Sequence, residues 1–188
     1  MNVFDFDNTI YDGESVIDFF LYYCKKDKSL LKYIPSVFVA LIKYKQGKIT
    51  VEQALSKYGK TVTDYFAQNG GVTEEVSAFW DSHMDKIKPF YKEIQGEDDL
   101  IVSCSPEFSL KVICQRLNIK SYIGSVIDEK TGDIKRLCFR ENKVKAFFEE
   151  YPDAEIENFY TDSLNDQPLI DISKNAYLVK GNKITKIK

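Results

Sequence analysis

Asn2-Val3-Phe4-Asp5-Phe6-Asp7-Asn8-Thr9 is the stretch from which the rest of the chain can be read. Residues 2–6 are apolar and β-prone, and the stretch then turns acidic. A strand buried on both faces of a parallel sheet has this form, because only its end surfaces toward water. The carboxylates of Asp5 and Asp7 therefore fall at the carboxyl end of a central strand, where open α/β sheets place their ligand sites. Crowding two acids there is costly unless a cation or strong donors neutralise them.

Similar apolar runs recur at residues 100–102, 156–160 and 176–179, separated by helical patterns over 106–117, 142–151 and 166–173. The alternation predicts an α/β fold with a Rossmann-like doubly wound parallel sheet. Gly181-Asn182 predicts a closing hairpin between 177–180 and 183–187, and Thr131-Gly132 predicts another within 126–135. Between the first and second strands lie about 85 residues, far too many for a βα loop. Apolar spacings of three and four predict helices over 15–25, 30–44, 51–68 and 73–90, with breaks at Pro35, Gly47, Asn69-Gly70-Gly71 and Pro89. The expected organisation is a core of residues 1–11 and 97–188 with an inserted all-helical cap domain over 12–96, hinged at Asp12-Gly13 and Gln95-Gly96.

A content of 44% hydrophobic and 29% charged residues, with net charge −3, describes one globular domain with room for an insertion and argues against disorder and a membrane span. His83 is the only histidine, which removes most zinc and paired-histidine mechanisms and leaves acid–base work to carboxylates. Cys24, Cys104, Cys114 and Cys138 show no C-x-x-C spacing, and the first residues lack the pattern of a signal peptide, so a reduced, cytoplasmic protein is expected. The near-neutral balance argues against a nucleic-acid partner, and nothing points to an obligate protein partner. Residues 25–60 stand apart, with nine lysines against Asp27 and Glu52, interleaved with apolar side chains. Two readings of this block stay open: an ordinary insert helix with a solvated lysine fringe, or peripheral contact with an anionic membrane.

Three other segments carry polar groups of the right kind. Ile101-Val102-Ser103-Cys104-Ser105-Pro106 ends the second strand with hydroxyls and main-chain N–H groups at the start of a helix, a favourable place for phosphate. Ser105 reads equally as that helix's N-cap, with Pro106 in its first turn. Lys143 opens a later helix, and Tyr160-Thr161-Asp162-Ser163-Leu164-Asn165-Asp166 again places acids where an apolar run surfaces. Taken alone, D-x-D-x-T is also a pair of solvated turn acids capped by Thr9.

Together and in this order, the four pieces resemble the haloacid dehalogenase (HAD) superfamily, in its phosphoserine-phosphatase-like branch (subfamily IB) with a helical C1 cap after the first motif. The resemblance runs over essentially the whole chain. It implies a Mg²⁺-dependent phosphomonoesterase that works through an aspartyl-phosphate on a small phosphorylated metabolite. Lipid or polyprenyl phosphates as substrates, and transfer to an alcohol instead of water, stay open. Within the resemblance Asp5 is the nucleophile and Asp7 the general acid and base, while Mg²⁺ is held by Asp5, Asp162 and the Asp7 carbonyl. Ser103 and Lys143 grip the phosphoryl oxygens, with Cys104 and Asn8 in the phosphate-binding turns. Thr9 orients Asp7, Asp166 braces the metal site or Lys143, and Ser163 supports the same loop.

Glu14 matches a glutamate that meets the substrate amine in phosphoserine phosphatases; it reads equally as an exposed acid at a helix start. Those enzymes also use a cap arginine, whereas Arg116, Arg136 and Arg140 are the only arginines here and none lies in the insert. Phosphoserine itself is therefore not the expected substrate. A receiver-like signalling module shares the acids, hydroxyl and lysine but has neither the long insertion nor the D-x-D pair.

Overall fold

The computed structural model describes residues 1–45, 48–50, 53, 73–128 and 133–188. One seven-stranded sheet runs in the order β4-β3-β2-β1-β5-β6-β7. Its strands are β1 Asn2–Phe4, β2 Leu100–Pro106, β3 Ser121–Ile127, β4 Ile134–Arg136, β5 Asn158–Thr161, β6 Asn175–Lys180 and β7 Lys183–Lys186. The strands from β3 to β6 are mutually parallel and the edge strands β4 and β7 antiparallel, as a doubly wound α/β sheet with closing hairpins requires. The helices are α1 Ser15–Lys26, α2 Ile34–Lys45, α3 Thr73–Asp81, α4 Pro89–Ile94, α5 Glu107–Arg116, α6 Glu141–Glu150 and α7 Gln167–Ile172.

Strand alternation sorts the apolar side chains into two layers. Phe4, Ile101 and Val179 face one side and join Phe79, Trp80, Tyr91 and Ile113. Val3, Leu100, Val102 and Phe159 face the other and join Ala146, Phe147 and Leu169. Phe4, Tyr160 and Tyr177 are in register on three adjacent strands, and their rings stack at centroid spacings of 4.5 and 4.7 Å.

The segment between β1 and β2 departs from expectation in two places. The single helix predicted over 73–90 is broken: α3 stops at Asp81, a 3-10 turn spans Met84–Lys86, and Ile87 forms an antiparallel bridge with Tyr11. Pro89 cannot donate to a continuing helix, so it opens α4 instead. As a result Val76, Phe79, Trp80, Ile87, Phe90 and Tyr91 belong to the same apolar cluster as Phe4 and Phe6. The helix predicted over 30–44 begins as a 3-10 turn, Lys28–Tyr33, and Pro35 lies in the first turn of α2, where a missing donor costs little. The helix expected over 51–68, the breaks at Gly47 and Asn69-Gly70-Gly71, and the turn at Thr131-Gly132 lie outside the described residues.

β3 starts well before the residues expected for it, because Gly124 interrupts an otherwise β-prone run. The absent side chain is a packing requirement. A Cβ at Gly124 would stand 2.6 Å from the Ser105 carbonyl oxygen and 2.7 Å from the Leu110 side chain. Gly124→Ala is therefore expected to cost about 2 kcal/mol and to lower the melting temperature by about 4–8 °C. A thermal unfolding curve checks this; an unchanged midpoint means the β2 end yields without cost.

Candidate active site

After Phe4 the chain leaves the sheet in a tight turn, in which the Phe6 carbonyl accepts from the N–H groups of Thr9, Ile10 and Tyr11. Asn8 adopts φ 57°, a left-handed conformation that asparagine tolerates. The Asp5 main-chain N–H donates to the Tyr160 carbonyl at 2.8 Å, so this residue still rides on β5. The carboxyl ends of β2 and β5 flank it, bringing Ser103 to Ser105 to one side and Asp162 to the other.

Lys143, near the start of α6, is the buried centre of the cluster. Its Nζ donates to Asp5 Oδ1 at 2.8 Å and to Asp166 Oδ2 at 2.9 Å, and the Thr161 hydroxyl donates to the same Asp166 oxygen at 2.9 Å. Burial works to discharge the ammonium, but the two carboxylates outweigh it and hold Lys143 above the ordinary lysine range. Of the two roles expected for Asp166, bracing Lys143 is the one this geometry supports. One lysine does not suffice for Asp5. Burial pushes its carboxyl up to about 8 against the pull of Lys143, and the nearby charges of Asp166 and Asp162 add to the rise. An ionised Asp5 at neutral pH therefore calls for further positive charge.

Asp7 is held differently. The Ser15 N–H donates to its Oδ1 and the Ser105 hydroxyl to its Oδ2, each at 2.7 Å, and the two serine hydroxyls lie 3.0 Å apart. Burial raises the Asp7 carboxyl, and these donors offset part of the rise. Two expectations are corrected here. Ser105 is not a helix cap, since α5 begins at Glu107 and the Ser105 hydroxyl is engaged by Asp7. Thr9 does not orient Asp7; its hydroxyl lies 3.4 Å from Asp5 Oδ2, because the turn carries it back over the first acid.

The remaining expected residues surround this centre. Ser103 is buried within β2, its Oγ accepting from the Ser105 N–H at 3.1 Å. The Cys104 carbonyl accepts from Ser125 Oγ at 2.7 Å, and burial pushes the thiol up to about 12, which makes it a poor nucleophile. Asn8 Nδ2 donates to Glu14 Oε1 at 2.9 Å, joining two residues expected to act separately. Ser163 shapes the loop between Asp162 and Asp166: its N–H donates to Thr161 Oγ1 and its Oγ accepts from the Asn165 N–H, each at 3.1 Å. His83 stacks on Phe79 at 4.2 Å, and its Nδ1 lies 2.9 Å from the Phe79 carbonyl, at the end of α3 and apart from the acids.

Three contributors escaped the sequence reading. Ser15 looks like an ordinary first helical residue after Glu14, Thr161 like a strand residue, and Lys88 like surface charge before Pro89. Lys88 is instead buried, and its Nζ donates to the Asn8 carbonyl. Only the hydroxyls of Ser15 and Thr161, at the mouths of segments rich in acids, could have signalled them.

Among the described residues no three His, Cys, Asp or Glu side chains group closely enough to hold a metal by themselves. The donors that the sequence resemblance assigns to a metal are the carboxylates of Asp5 and Asp162 and the Asp7 carbonyl. Burial also raises the Asp162 carboxyl, and it accepts no hydrogen bond from another described residue. Two crowded carboxylates and a neutral oxygen suit a hard cation that keeps several waters, and do not suit zinc.

A family model for haloacid dehalogenase-like hydrolases matches residues 3–171. No curated protein matches the chain. Similar solved structures include a protein of unknown function from Bordetella pertussis Tohama I, at 19% identity and TM-score 0.75, covering 94% of this chain and 87% of that one. A phosphoserine phosphohydrolase-like protein from Francisella tularensis subsp. tularensis SCHU S4 aligns at 18% identity and TM-score 0.63, covering 94% and 86%. A substrate-bound phosphoserine phosphatase aligns at 18% identity and TM-score 0.54, covering 93% and 82%. At these identities the likeness is one of fold, and together with the match over nearly the whole sequence it means that the chain belongs to the haloacid dehalogenase-like hydrolase family.

Proposed function

We propose that the chain is a Mg²⁺-dependent phosphomonoesterase acting on a small phosphorylated metabolite through an aspartyl-phosphate. The observation that carries the reading is the division of labour between two acids on one strand end. Asp5 is held by an ammonium at 2.8 Å, whereas Asp7, two residues on, is held by hydroxyl and N–H donors, and burial raises both carboxyls. The first arrangement suits a nucleophile and the second a proton donor.

In the first step an Asp5 carboxylate oxygen attacks phosphorus and the bond to the leaving oxygen breaks, with Asp7 giving that oxygen its proton. In the second, the Asp7 carboxylate takes a proton from water, the hydroxide attacks phosphorus, and Asp5 is released with inorganic phosphate. Ser103 and Lys143 hold the phosphoryl oxygens in both steps. A Mg²⁺ ion on Asp5, Asp162 and the Asp7 carbonyl supplies charge neutralisation for the phosphoryl group and keeps Asp5 ionised. The insert contains no forked guanidinium, so the reading extends to small phosphate esters as a class and does not single out phosphoserine.

Hydrolysis of p-nitrophenyl phosphate tests the reading. The wild type is expected to turn over with Mg²⁺ and to stop with EDTA. Asp5→Asn should fall to background, and Asp7→Asn should lose about 10²–10⁴-fold in kcat. Activity that persists in Asp5→Asn ends the proposal.

A second expectation concerns stability. Among the described residues, Asp5, Asp7, Asp99, Glu150 and Asp162 all have carboxyls raised in the folded protein. The folded state then binds more protons than the unfolded one, so stability declines as pH climbs from the ordinary carboxyl value of 3.8 toward about 8 for Asp5. The melting temperature of metal-free protein should drop between about pH 5 and about pH 8. The drop should be smaller in Asp5→Asn and with saturating Mg²⁺. A midpoint that rises across this range contradicts it.

A further inference from the structure

Among the described residues, the helix α2 packs with one side and exposes the other. Ile34, Val37 and the neighbouring Tyr33 pack on the small cluster of Phe20, Cys24 and Leu30, and Ala40 is buried as well. On α2, Pro35, Phe38, Val39 and Ile42 are exposed, at offsets of three, four and seven from the first, which is one helical stripe, and Leu31 is exposed in the 3-10 turn before it. Leu31, Phe38, Val39 and Ile42 expose 45%, 63%, 43% and 44% of their surface. Single exposed apolar residues are ordinary, but a continuous stripe marks an interaction surface.

Charge selects the occupant. Lys25, Lys28 and Lys32, in the segment that leads into α2, are exposed, and Lys43 on α2 is partly so. The only acid within residues 25–45 is Asp27, whose carboxylate accepts from the Ser29 N–H. This basic excess runs against the chain's net charge of −3. A second copy of the chain would set lysine against lysine. An anionic lipid surface accepts both features at once, with ammonium groups at headgroup level and the stripe among the acyl chains. No helix among the described residues is long and apolar enough to cross a membrane, so contact through this face is peripheral.

We propose that the α2 stripe with its flanking lysines docks the protein on anionic membrane. The inference stands apart from the phosphatase reading, but the two connect through α1. That helix starts at Ser15, against Asp7, and its 12 residues end at Lys26, about 18 Å away and just before the 3-10 turn that leads into α2.

Co-sedimentation of the full chain with vesicles tests this, using phosphatidylcholine alone and phosphatidylcholine with about a third phosphatidylglycerol. Binding is expected only to the anionic vesicles and is expected to weaken with added salt. The double variant Phe38→Glu/Ile42→Glu should bind at least about tenfold less while keeping its melting temperature and its turnover of p-nitrophenyl phosphate. Asp5→Asn should bind like the wild type, which separates failure of docking from failure of catalysis. Absent binding to anionic vesicles, equal binding by the double variant, or a dimer whose copies cross-link through position 38 overturns the proposal. Equal binding to neutral vesicles does the same, as does capture by an acidic peptide in place of lipid.

Discussion

The site depends on how four acids are kept at one end of a sheet. Asp5, Asp7, Asp162 and Asp166 all lie where parallel strands or the turns after them surface, and burial penalises every ionised carboxylate it encloses. Lys143 is the chain's principal answer. Buried between Asp5 and Asp166, it is held charged by both and ties α6 to the ends of β1 and β5. A triad of two carboxylates and one ammonium is still negative. In the proposed reaction that remaining negative charge is what a divalent cation beside Asp5 and Asp162 would neutralise.

The acids were legible in the sequence because they follow apolar runs, and apolar runs in an alternating pattern determine a parallel sheet. Asp5, Lys143 and Asp166 are accordingly brought together from opposite ends of the chain, with Ser103 close by on the neighbouring strand. Contacts set by the turns were not legible. Whether Thr9 lies over Asp5 or Asp7 depends on the exact path from Phe6 to Tyr11, which no spacing encodes. Ser105 carried a valid capping signature, but the strand continues to Pro106 and directs the hydroxyl to Asp7. No spacing marks Gly124 either, whose missing side chain lets β3 approach the Ser105 carbonyl.

The insert shows the same limit. Its helical character follows from periodicity, but the break after Asp81 is tertiary in origin. Trp80 fills the space against Phe6 and Tyr11, with its indole N–H donating to the Ser109 carbonyl at 3.1 Å. Once that ring is seated, the chain must return to the sheet, and it does so by pairing Ile87 with Tyr11 and joining the Lys88 N–H to the Ile10 carbonyl at 2.8 Å. A helix continued to residue 90 would forfeit both connections.

The two ends of the insert consequently meet on one turn. Its first helix gives the Ser15 N–H to Asp7, and its last segment gives Lys88 Nζ to the Asn8 carbonyl. Asn8 in turn holds Glu14, at the start of α1, through its own amide. A displacement of α1 therefore alters the hydrogen bonding of Asp7, the acid that the proposed reaction uses on the leaving group. In the proposed reaction the same helix start would serve both substrate recognition and proton transfer. An ester that fits the insert poorly would then be disfavoured in binding and in the proton-transfer step, and selectivity would be expressed in kcat as well as in KM.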